Sequence, residues 1–161
     1  MNPTEIPIDS RASFHHAATQ ALAWATERGA RRLWLADRDF AEWPLDEGPW
    51  LDALTAWLRL PQRRLTLLAL RYDGLPRRHP RFVEWRRTWA HAVEAFAPAE
   101  PGIEVPSWLV DDGPVLLELR DAERFRGHAV RDPRAARRIR DETDALLQRC
   151  EASFAPTVLG L

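Results

Sequence analysis

At 161 residues, with 45% hydrophobic residues and a formal net charge of −1, the chain is long enough to bury a core without disulfides. The near-neutral charge argues against a dedicated nucleic-acid binder, whose footprint is an excess of positive charge, and the longest strongly apolar run, Leu65 to Leu70, is strand-sized and too short for a membrane span. All 23 residues counted as Lys plus Arg are arginine, so the chain supplies no Schiff-base lysine, P-loop lysine or Ser-Lys dyad.

The amino end, "MNPTEIPIDS", has neither a basic nor an apolar signal region, and residues 1–9 read as a tail ahead of a single α/β domain over 10–161. One cysteine, Cys150, allows no intramolecular disulfide and fits a reducing, cytoplasmic setting. From Ser10 a helix is expected, since Phe14, Ala18, Ala21, Leu22 and Ala25 recur at helical spacing and Gly29 provides the stop. Leu33 to Ala36 form a short continuous apolar strand, a pattern suited to burial on both faces. After the loop "EWPLDEGP", Trp50, Leu51, Leu54, Trp57 and Leu58 mark an amphipathic helix that Pro61 ends.

"RRLTLLALRY" is a second strand and "DGLPRRHP" a second loop. "RFVEWRRTWAHAVEAF" is expected to be helical throughout, with Phe82, Trp85, Trp89, Ala92, Val93 and Phe96 as its stripe. Three strands are expected over Ile103–Leu109, Val115–Leu119 and Phe125–Val130. A closing helix begins at Asp132, a capping residue, with Pro133 at the first helical position and Cys150 on its inward face. The alternation predicts a layered mixed β-sheet flanked by helices on both faces.

The order of elements, the first strand "RLWLADRDF" and the closing "GHAVRDPRAARRIRDETDALLQR" resemble one half of a phospholipase D-like domain, over about Ala21 to Arg149. That family carries H-x-K-x-x-x-x-D-G on a strand running into a turn. Anchored on Asp112 and Gly113, its histidine position is Val105 and its lysine position Ser107, so only Asp112 matches. The Gly-Ser-x-Asn segment usual after the next strand is also absent, Glu118, Leu119, Arg120 and Asp121 standing there. The resemblance implies a histidine nucleophile attacking a phosphodiester, with lysines holding the phosphate. Valine has no nucleophilic atom, and serine offers no charge to clamp the developing one. A degenerate, non-catalytic domain is therefore expected, serving as an interaction or regulatory module. Single-half members pair two copies, which implies a homodimer.

No cofactor motif is present, and no Cys/His cluster has metal-ligand spacing. A second reading is a phosphate or single-stranded nucleic-acid binding module. Its candidate anion-binding residues are Arg77, Arg78 and Arg81 in "LPRRHPRF", where little acid balances them, with Arg126 and His128 in "FRGHAV". A third reading is rebuilt acid–base chemistry, for which His128 and Asp112 are the one pair available, provided they share a pocket. Arg137, Arg138 and Arg140 each have an acid four residues on and read as a solvated helix face. Of eight tryptophans, Trp57, Trp85 and Trp89 fall on core stripes. Trp43, Trp50 and Trp108 lie near element ends, where they suit a groove or a subunit interface.

Overall fold

The computed structural model describes residues 5–156. Its elements are β1 (Glu5–Ile8), α1 (Arg11–Glu27), β2 (Arg32–Asp37), α2 (Gly48–Leu58), β3 (Arg64–Ala69), α3 (Leu75–Arg78), α4 (Pro80–Thr88) and β4 (Val93–Pro98), followed by β5 (Ser107–Asp111), β6 (Val115–Asp121), β7 (Arg126–Arg131), α5 (Pro133–Leu147) and β8 (Cys150–Ala152). The strands form one sheet in the order β1-β7-β6-β5-β2-β3-β4-β8. Strands β2, β3 and β4 run parallel; every other pairing is antiparallel.

Local chemistry sets the helix ends. Ser10 caps α1 in a reciprocal capping box with Ser13, and Gly29, at φ 78°, takes the left-handed turn that ends it. Asp132 accepts from the backbone N–H groups of Arg134 and Ala135, with Pro133 opening α5. The sheet then separates two cores. On one face α1, α2 and α4 pack Phe14, Trp50, Trp57 and Phe82 against Leu35, Leu67, Leu109 and Leu117. On the other, Ala136 and Ile139 of α5 cover Trp34, Leu68, Trp108 and Val110. Helices thus flank a mixed sheet on both faces, as the sequence pattern predicts.

The segment expected as the loop "DGLPRRHP" holds the short helix α3, and the strand expected from Ile103 begins at Ser107; four larger features also differ from the sequence expectation. Within the segment read as a tail, Glu5–Ile8 is a strand paired with β7, Ile8 being buried against the core; residues 1–4 lie outside the described residues. The helix expected through Phe96 stops at Thr88, and Val93–Pro98 is strand β4 beside β3. Val93 and Ala95 turn to one face and Glu94 and Phe96 to the other, so the same residues satisfy a period of two as well as one of 3.6. The open edge of β3 decides between them. Cys150 is not on a helix face but opens β8, half-buried, its thiol donating to the Leu146 carbonyl at 3.2 Å.

The fourth difference is the tryptophans. Trp43, Trp50 and Trp108 are 1%, 1% and 2% exposed, so all three pack into the cores, and of the three only Trp43 also lines the cleft at the start of β5. Trp43 stacks edge-on against Phe14 at 5.1 Å, Phe40 at 5.6 Å and Trp50 at 6.5 Å.

Candidate functional site

Strand β5 starts beside the end of β2, and this junction floors an open cleft of about 720 Å³. Ser107 and Asp37 meet there, one residue beyond the Trp108–Ala36 pair, and the Ser107 hydroxyl donates to Asp37 Oδ1. Asp37 Oδ2 accepts from the backbone N–H groups of Asp39 at 3.1 Å and Phe40 at 2.8 Å. It therefore holds Phe40 at φ 59°, an uncommon conformation outside glycine. His79 Nε2 ties the same turn to α4 by donating to the Phe40 carbonyl at 2.9 Å.

Val105 lines the cleft while burying its side chain in the α5-side core. The rest of the lining includes Asp39, Glu42, Glu104, Asp121 and Glu123 against only two cations, Arg38 and Arg120. Among the described residues no histidine or cysteine lines it. The Ser107 hydroxyl donates to the Asp37 carboxylate, and the nearby imidazoles, His15 and His79, are engaged with the carbonyls of Glu42 and Phe40. The excess of carboxylates gives the cleft a field that opposes a phosphodiester.

Asp112 lies at the opposite end of β5. It accepts from Arg28 Nη1 at 2.8 Å and from the Arg31 backbone N–H at 3.2 Å. Its neighbour Asp111 is fully buried and accepts from Arg28 Nη1 at 3.0 Å and from the backbone N–H groups of Gly113 and Val115. Burial pushes the Asp111 carboxyl above its usual range, against the downward pull of those hydrogen bonds. For Arg28, burial works to lower the pKa, but the two carboxylates raise it overall. Arg140 completes the turn by donating to the carbonyls of Asp111 and Gly113. This is an anchor for the β5–β6 hairpin.

His128 sits in β7 opposite Pro7 and Glu118, with its Nδ1 3.2 Å from Glu5 Oε1. The structure does not bring His128 and Asp112 together: through Glu118, His128 lies level with Trp108 near the start of β5, whereas Asp112 follows the end of that strand, and each has its own partners. The acid–base pair weighed from sequence is not assembled.

The two groups of candidate anion ligands are also apart. Arg77 and Arg78 belong to α3 and Arg81 to α4, whereas Arg126 and His128 lie in β7, four places from β3 in the sheet. Arg77 and Arg78 line a smaller hollow of about 310 Å³ with Arg71, Asp39 and Asp73. Arg78 is engaged, donating to Glu42 at 2.9 Å and to the Ala41 carbonyl at 3.0 Å. Arg81 reaches the Asp46 carbonyl at 3.4 Å. Arg126 is exposed beside Asp121.

The strand expected over Ile103–Leu109 begins only at Ser107, so Ser107 opens β5 while Val105 lies in the approach to it; Asp37, Glu104 and the acidic lining around them are not marked by any sequence motif. The "DRD" after the first strand was the available signal; the cross-strand pairing that gives it meaning is long-range.

No family model matches this chain, and no curated protein does. Among solved structures, TrmBL2, an archaeal chromatin protein whose structure shows a novel mode of DNA binding, superposes with a TM-score of 0.66 at 12% identity, over 95% of this chain. The chain spans 54% of that protein's length. Nuc, a phospholipase D family member from Salmonella typhimurium, superposes with a TM-score of 0.57 at 8% identity, over 85% of this chain and 90% of its own. The fold is thus a mixed α/β layered domain of phospholipase D-like type. At such identities the likeness defines fold alone.

Proposed function

We propose that the chain is a non-catalytic phospholipase D-like half that works as an interaction or regulatory module, as a homodimer in the cytoplasm. The observation that carries this reading is the cleft at the start of β5. Val105 and Ser107 stand where the family resemblance expects the nucleophile and the phosphate clamp, and the lining around them is acidic. A family enzyme needs a histidine and cations at this place; the chain offers a valine, a tied-down hydroxyl and carboxylates. Incubation with bis(p-nitrophenyl) phosphate tests the non-catalytic part. The expected result is hydrolysis no faster than in buffer, and turnover that disappears in a Ser107→Ala variant would overturn it.

A second reading, binding of phosphate or single-stranded nucleic acid, is favoured by the arginines of the hollow beside α3. Arg71, Arg77 and Arg78 converge there, and the structurally similar TrmBL2 is a DNA-binding protein. Asp39 and Asp73 in the same hollow, and the pairing of Arg78 with Glu42, weaken its positive field. The first reading is therefore preferred.

A further inference from the structure

Arg86 of α4 is the molecule's least explained charge. Only 4% of the residue is exposed, yet among the described residues its Nε and Nη1 have no hydrogen-bond partner. An arginine cannot shed its charge in a protein, so desolvating one without an anion is costly. Two contacts offset part of this cost. The guanidinium carbon lies 5.7 Å from the Phe154 ring centre, and Arg86 sits in the last turn of α4, where the helix dipole favours a cation. Neither contact accepts its N–H groups.

Arg86 also lines a hollow of about 540 Å³. The hollow lies beside β4, where β8 stops pairing: β8 covers Phe96 to Pro98, and the chain after it crosses at Ser153, whose N–H donates to the Ala95 carbonyl. Its other walls are Val93, Phe96, Phe154 and Pro156. Phe154 is clamped in place, stacked on Tyr72 at 5.1 Å and on Phe82 at 6.5 Å. Glu94, the one carboxylate in the lining, turns its oxygens to Thr66 and Arg64, at 2.9 and 3.3 Å.

We propose that this hollow is a binding site for a small carboxylate bearing an apolar tail, with Arg86 as the anion ligand and Phe154 as a wall. A guanidinium edge matches a planar carboxylate with two parallel hydrogen bonds. The apolar walls favour a ligand with a hydrocarbon portion over a hydrated phosphate. The site is separate from the acidic cleft and stands whether or not that cleft binds anything.

Sodium butyrate is the probe, with inorganic phosphate as comparison and sodium chloride holding ionic strength constant. Two readouts are taken: the melting temperature, and the Arg86 Nε–Hε resonance of the ¹⁵N-labelled wild-type chain. At ten times its dissociation constant, butyrate is expected to raise Tm by about 3–5 °C. The Arg86 resonance is expected to move saturably along the same isotherm, and Arg86→Met to abolish the Tm response. The resonance needs no variant, so the test survives if Arg86→Met fails to fold. An unmoved Arg86 resonance up to 100 mM butyrate overturns the proposal, as does an unchanged Tm response in a folded Arg86→Met. An equal response to phosphate overturns the assignment to carboxylates.

Discussion

Tyr72 is the single tyrosine of the chain and is buried. Its hydroxyl is buried and donates to the Phe96 carbonyl at 2.7 Å, and burial raises its pKa well above the ordinary 10.0. A raised acid pKa means that the folded state resists ionisation. This contribution is intact below pH 10 and is lost as the pH climbs beyond it. Since the chain has a single tyrosine, tyrosinate absorbance at 295 nm reports on this group alone. The rise in absorbance should coincide with alkaline unfolding seen by circular dichroism; a titration near pH 10 in a folded protein would contradict the assignment.

The Asp37 carboxylate gives a second prediction. It accepts from Ser107, Asp39 and Phe40, so Asp37→Ala strands three donors and should cost about 3–4 kcal/mol in urea unfolding, against about 1–2 for Ser107→Ala. Equal small losses would mean that the carboxylate does not hold the turn. At this scale the sequence was partly legible. The absence of histidine and lysine at positions 105 and 107 needs only a register, which a strand and a "DG" turn provide. Asp37 and Arg86 were not legible, because nothing local distinguishes a buried, committed side chain from a solvated one.

Among the elements, the β6–β7 pair depends most on one residue. Gly127 lies opposite Leu119, and a Cβ there would collide with the backbone of Glu118 and Leu119. Gly127→Ala is expected to cost more than about 3 kcal/mol, since only backbone movement relieves the clash. Gly113→Ala would meet the end of the Arg28 side chain instead, which can swing aside; about 1–2 kcal/mol is expected. Denaturant midpoints of the two variants compare them directly, and a milder loss at Gly127 would argue against the β6–β7 register.

Elements with strong local signals were readable: α1 with its serine cap, α5 with Asp132-Pro133, and the apolar strands β2 and β3. β1 and β8 were not, because strands of four and three residues form only by pairing with distant partners, β7 and β4. Strand β4 failed for a different reason: "AVEAFA" fits two periods, and the choice between them lies in the unpaired edge of β3.

For the whole molecule, a mixed sheet with helices on both faces follows from the alternation of elements, but the strand order and the charge of the cleft do not. Its lining comes from α1, the loop after β2, the approach to β5 and the β6–β7 loop, which only the complete fold brings together. Two predictions belong here. Sedimentation velocity at micromolar concentration should give a dimer of the 18.5 kDa chain; a monomer across that range would remove dimerisation from the proposal. The other concerns phosphodiesters directly. Fluorescence anisotropy with labelled single-stranded DNA, titrated at low and then physiological salt, tests the proposal that this chain has no phosphodiester site. No binding is expected even at low salt. Micromolar binding that weakens steeply with salt, and weakens again in an Arg77→Ala/Arg78→Ala/Arg81→Ala variant, would contradict it.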